Sequence, residues 1–83
     1  MIHNFFKDGK LTNIPKKKKN KQLIFDQIIE KFQYNNDYSE KEVNDILKEI
    51  YPDFAILRRY LVDWKLLERD KYGNTYRKIN YEK

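Results

Sequence analysis

Pro52 is the residue that most restricts this chain. It stands between two apolar runs of helical period, Val43, Ile46, Leu47 and Ile50 before it and Phe54, Leu57, Leu61 and Trp64 after it. Proline disfavours helical geometry in the residue before it, so a helix ends near Tyr51. Asp53 comes at once and supplies a cap for the next helix. Two helices are therefore joined by a tight turn.

The first of this pair carries the strongest local signal in the chain. Ser39 is followed three residues later by Glu42, which is a capping box. Tyr38 precedes the cap and Val43 stands where a hydrophobic staple would close on it, while Glu40 and Glu42 put negative charge on the first turn, where the helix dipole favours it. A helix is predicted over 39–51, and a following one over 53–65. Upstream, Ile24, Phe25, Ile28, Ile29 and Phe32 repeat at helical spacing and predict a helix over about 16–32. Pro15 suits its first turn. The lysine run opposes the dipole there, so Asn20 is an alternative start.

Both ends of the chain read as extended. Asp8-Gly9 suits the positive φ angles of a two-residue turn, which predicts a short hairpin, or a turn and strand, within 5–14. Leu66–Asp70 and Thr75–Ile79 flank Lys71-Tyr72-Gly73-Asn74 and predict a C-terminal hairpin over 66–79. The order is that of a three-helix winged-helix-like α+β domain with a C-terminal β-hairpin and a short N-terminal hairpin or strand. It takes in residues 1–83 as one domain, since 83 residues allow no more. Phe25, Phe32, Phe54 and Trp64 fit core positions. Tyr34, Tyr51, Tyr60 and Tyr72 are less obviously buried and fit either stacking on bases or a contact surface, between which helical spacing does not decide.

Charge limits the function classes. The net charge is +5, unevenly spread. Residues 1–21 hold seven lysines against Asp8, a net +6; residues 22–53 hold three lysines against eight carboxylates, a net −5; residues 54–83 hold eight basic groups against four carboxylates, a net +4. Basic ends favour a polyanion, and the acidic middle restricts where it can lie. There is no cysteine, and the single histidine, His3, has no partner in a fixed element. Ser39, the one serine, has a cap to make; the glycines are only Gly9 and Gly73, so no phosphate-cradling loop exists. No metal-ligand spacing and no cofactor motif is present. The expectation is a binding module and not an enzyme. No apolar stretch approaches a membrane span and no signal peptide opens the chain, which points to a cytoplasmic protein without membrane contact.

Four segments resemble a known family: residues 8–15 (DGKLTNIP), 38–47 (YSEKEVNDIL), 57–70 (LRRYLVDWKLLERD) and 72–76 (YGNTY). They are similar to the bacterial family termed domain of unknown function 2087, from about Phe5 to Arg77. Members of that family often follow a helix-turn-helix domain in proteins described as transcriptional regulators, which implies a regulatory setting and assigns no chemistry. Here the module is expected to stand alone. The family often has Gly between the aromatic residue and the two leucines, where this chain has Lys65. If that position is left-handed, Lys65 carries a strain of ~1 kcal/mol.

Two readings of function stand side by side. In the first, double-stranded DNA is the partner. Arg59, Tyr60 and Ile56 on the open face of the last helix would enter the major groove. Arg69, Lys71, Arg77 and Lys78 on the hairpin would follow the backbone, and Lys16, Lys17, Lys18 and Lys19 would neutralise phosphates. Arg58 lies nearer the buried arc and is expected to pair with an internal carboxylate or to pack its stem. In the second reading, the acidic helix with Glu40, Glu42, Asp45 and Glu49 meets a protein partner, because carboxylates so placed would repel a DNA backbone. A homodimer fits the first reading, since such regulators read paired half-sites. The two readings part on charge. DNA binding requires the last helix and the hairpin to share a basic face that excludes those carboxylates.

Overall fold

The computed structural model describes residues 5–81, so His3 lies outside the described residues. The chain opens with the predicted hairpin, strands β1 (Phe6–Lys7) and β2 (Lys10–Leu11). Phe6 pairs with Leu11 and Lys7 with Lys10. Asp8 and Gly9 both have positive φ, 55° and 80°, the geometry that makes Asp-Gly a hairpin turn. Leu11 is buried, and its N–H donates to the Ile50 carbonyl at 2.8 Å, which docks the hairpin on the end of the second helix.

Helix α1 runs over Lys18–Ile29, shorter at both ends than its apolar period suggests. It starts inside the lysine run, neither at Lys16 nor at Asn20. Lys17 occupies the cap position and makes no side-chain capping bond. After Ile29 the chain tightens: the N–H groups of Lys31 and Phe32 donate to the carbonyls of Ile28 and Ile29, three residues back. Phe32 remains buried all the same.

Helix α2 (Glu40–Lys48) begins at the predicted box. The Ser39 Oγ accepts from the Glu42 N–H at 3.1 Å, and the Glu42 carboxylate accepts from the Ser39 N–H at 2.8 Å. It ends before Tyr51, leaving Ile50 buried in the turn. Asp53 caps α3 (Phe54–Asp63), accepting from the Ile56 N–H at 3.4 Å. Helix α3 closes in a Schellman arrangement: Leu66 N–H donates to the Leu61 carbonyl and Lys65 N–H to the Val62 carbonyl. The left-handed residue of that motif is Lys65, with φ of 62°. This is the position where the family resemblance places Gly.

One strand is not foreseen. Tyr38–Ser39 forms β3, which pairs antiparallel with β5 (Thr75–Lys78), and β5 pairs in turn with β4 (Leu67–Arg69). The sheet order is β3-β5-β4. Two residues are too few for an alternating pattern to be seen. Ser39 thus serves both a strand and the cap of the helix that follows it. The result is an α+β domain of three helices, a two-stranded hairpin and a three-stranded antiparallel sheet, an order compatible with the expected winged-helix-like arrangement.

The core gathers Ile24, Phe25, Ile28, Ile29 and Phe32 with Val43, Leu47, Ile50, Leu57 and Leu61, closed by Leu67 and Tyr76 from the hairpin. Phe25 and Phe32 are core residues as expected, but Phe54 and Trp64 are half-buried at its rim. Both lie at the ends of α3, where the apolar stripe has turned away from the centre. Trp64 packs edge-on against Phe25 at 5.6 Å and against Tyr60 at 5.9 Å.

Candidate nucleic-acid interface

Alternation along β4 and β5 sorts the basic residues of the hairpin onto two faces. Tyr76 and Lys78 point toward the helices and are buried, while Thr75 and Arg77 point away. Register places Arg69 opposite Tyr76 and Glu68 opposite Arg77. Arg69 therefore shares the helix-facing side, and Arg77 pairs across strands with a carboxylate on the outer side.

On the helix-facing side a cleft of about 440 Å³ opens between the hairpin, α3 and the start of α2. Arg58, Arg59 and Arg69 line it together with Ala55, Val62 and Tyr76. Arg58 is half-buried and donates from Nη1 to the Asn44 side-chain oxygen, so an amide of α2 takes the place of the expected carboxylate. That bond fixes the guanidinium against α2 while leaving its other donors free of this contact. Arg59 is 82% exposed along its side chain and makes a loose 3.7 Å ion pair with Asp63, one turn on. Glu40 and Asp63 also line the cleft, so the basic face does not wholly exclude the carboxylates of α2.

Two other carboxylates of α2, those of Glu42 and Asp45, are already engaged. Glu42 belongs to the cap. Asp45 lies 2.8 Å from the Lys41 amine and 3.2 Å from that of Lys48. Hydrogen bonding from Lys41, then from Lys48, holds its carboxyl below the ordinary range, and the same contact with Asp45 raises the Lys41 amine. At Glu49, just past the helix, it is the backbone carbonyl and not the carboxylate that accepts from the Lys10 amine, at 3.1 Å.

The remaining candidates divide. Tyr60 is half-buried, its ring 5.0 Å from Phe25, and the Lys21 amine sits 5.3 Å above it. Ile56 lines a shallow groove with Arg59, Tyr60 and Asp63. Arg77 forks onto Asp37, with Nε at 2.8 Å and Nη2 at 2.7 Å, and so ties β5 to the loop before β3. Lys78 is buried: its amine donates to the Phe32 carbonyl at 3.3 Å and lies 4.1 Å from the centre of the Tyr34 ring. A backbone carbonyl and an aromatic face compensate that charge. The Lys71 amine sits 5.6 Å from the Tyr72 ring in the hairpin turn. Lys16, Lys17, Lys18 and Lys19 are exposed. Lys18 reaches the far end of α3, where it lines a groove with Gln22, Asp26, Asp63, Trp64 and Lys65.

The structure thus brings Arg59 and Arg69 together and adds Arg58; Arg77 shares a second hollow with Arg69, lined also by Asp37, Glu68 and Asp70, and Lys78 lines neither. Lys21 of α1 also stands beside α3, over the Tyr60 ring, a placement that helical projection of single elements could not give. The hairpin turn itself is fixed by Asp70. Its carboxylate accepts from the N–H groups of Asn74 at 2.7 Å and Thr75 at 3.3 Å, and the Asn74 bond chiefly holds it below its ordinary range. Among the described residues no group of three or more His, Cys, Asp or Glu is placed to hold a metal, and no helix is long and apolar enough to cross a membrane.

Over residues 10–78 the sequence matches DUF2087, a family described as an uncharacterized protein conserved in bacteria. The chain belongs to that family. The DUF2087 match takes in the lysine run and every residue of the arginine cleft, and stops short of β1. No curated protein and no solved structure matches the chain.

Proposed function

We propose that this chain is a winged-helix regulatory module that binds double-stranded DNA through α3 and the β4–β5 hairpin, and that it works by binding and not by catalysis. The observation that carries this reading is the convergence of Arg58, Arg59 and Arg69 on one cleft between those elements. A guanidinium offers forked donors to phosphate and to the acceptor edge of guanine. Arg69 and Arg58 would hold a backbone phosphate at the cleft while Arg59, exposed on α3, meets base edges. Lys18 would reach the backbone at the other end of α3. The regulatory setting implied by the DUF2087 resemblance agrees with this, and the reading carries with it a cytoplasmic location.

The test is binding of the whole chain to random-sequence duplex DNA across a salt series. Affinity that falls steeply as salt rises supports the reading, because each neutralised phosphate releases a counterion. No binding at low salt overturns it. The second reading, a protein-interaction module, draws on Glu40, an acidic group on the cleft itself. If Glu40→Lys created DNA binding where the native chain had none, the face would have been made for a protein.

A further inference from the structure

Asp63 has no evident reason to be where it is. It is the last residue of α3, where the helix dipole disfavours a carboxylate. It is 59% exposed and its one ion pair, with Arg59, is loose at 3.7 Å. An exposed pair of that kind contributes little to stability. It also lines three hollows beside α3: the arginine cleft, the groove with Ile56 and Tyr60, and the groove with Lys18 and Lys65. A carboxylate at the centre of basic groups weakens their hold on any polyanion. Neither the helix nor general phosphate affinity accounts for it.

We infer that Asp63 is a specificity-determining residue that accepts a hydrogen bond from a cytosine amino group, about two base pairs from the guanine met by Arg59. This rests on the DNA reading above. In the major groove cytosine presents the N4 amine, a donor that a carboxylate accepts, while guanine presents the acceptor pair that arginine matches. Arg59 and Asp63 share the open face of α3 four residues apart, a rise of about 6 Å along the axis. Successive bases on one strand are about 3.4 Å apart, so the two side chains reach bases roughly two steps apart. Opening the loose Arg59–Asp63 pair frees both for their bases. The carboxylate makes binding selective: its repulsion of phosphates weakens binding to every duplex alike, and only a cytosine amine at its position offsets that loss.

The experiment is selection of bound sites from a random duplex library with the wild type, Asp63→Ala, Asp63→Glu and Arg59→Ala, together with the affinity of each for unselected duplex. The wild type should enrich guanine at one position and cytosine about two positions away. Asp63→Ala should lose the cytosine preference by roughly tenfold, keep the guanine, and bind unselected duplex more tightly than the wild type. Asp63→Glu should retain the cytosine preference, and Arg59→Ala should lose the guanine. If Asp63→Ala keeps the cytosine, or weakens every position equally, the inference is wrong and the DNA reading survives. If the wild type binds no duplex at low salt, both fall together.

Discussion

Lys65 shows how a single residue can hold a strained position for a structural reason. Its φ of 62° is demanded by the Schellman close of α3, and the Tyr81 hydroxyl donates to its carbonyl. A side chain in the left-handed region clashes with the following carbonyl oxygen at a cost of ~1 kcal/mol. Lys65→Gly should therefore raise stability by up to ~1 kcal/mol, with some of the gain offset by the freer unfolded chain. Lys65→Ala, which keeps the Cβ, should show no such gain. Urea unfolding midpoints of the three proteins decide this, and a stabilised alanine variant would move the cause from the backbone to the amine. Ser39 is the opposite case, a residue whose capping role the spacing alone revealed. Ser39→Ala should lower stability by about 1 kcal/mol through loss of the cap, read from the same midpoints.

At the scale of elements, the α3–hairpin junction shows what the sequence makes legible. Helix order, both tight turns, the capping box and the Asp53 cap could all be read, because each rests on residues close in sequence. The strand β3 could not, because its two residues pair with a partner almost forty positions away. Burial at helix ends was equally hidden. Trp64 reads as core by period, yet it lies half-exposed over Phe25 and Tyr60. Trp64→Ala should accordingly cost about 2 kcal/mol, below the usual range for a buried tryptophan, and leave a folded protein by circular dichroism. The hairpin turn carries its own pH dependence. The Asp70 carboxyl is held below its ordinary value by backbone N–H groups. Its contribution to stability is then complete above that ordinary value and is lost as pH falls through the lowered one. Melting temperatures of the wild type and Asp70→Ala should differ by a constant amount near neutrality and converge in acid. A gap that widened on acidification would contradict the assignment.

The whole molecule settles which basic residues can act together, and the last prediction belongs there. Read from the sequence, Arg69, Arg77 and Lys78 are equivalent hairpin cations. The fold makes them three different things. Arg69 lines the cleft beside α3 and also borders the hollow where Arg77 grips Asp37, while Lys78 is buried against Phe32 and Tyr34. Only long-range placement distinguishes them, since strand alternation cannot say which face meets a helix. Under the DNA reading Arg69→Ala should weaken binding to selected and scrambled duplexes alike and reduce the salt slope by about one phosphate contact. Arg77→Ala should leave the affinity at one salt concentration, and the slope, close to those of the wild type. Its effect should appear instead in stability, by no more than about 1 kcal/mol, because the Arg77–Asp37 pair is half-exposed on both sides. Lys18→Ala should behave like Arg69→Ala, from the far end of α3. Affinities at two salt concentrations for each variant make the comparison. Equal loss from Arg69→Ala and Arg77→Ala would place the DNA on the outer face of the sheet and remove α3 as the reading element.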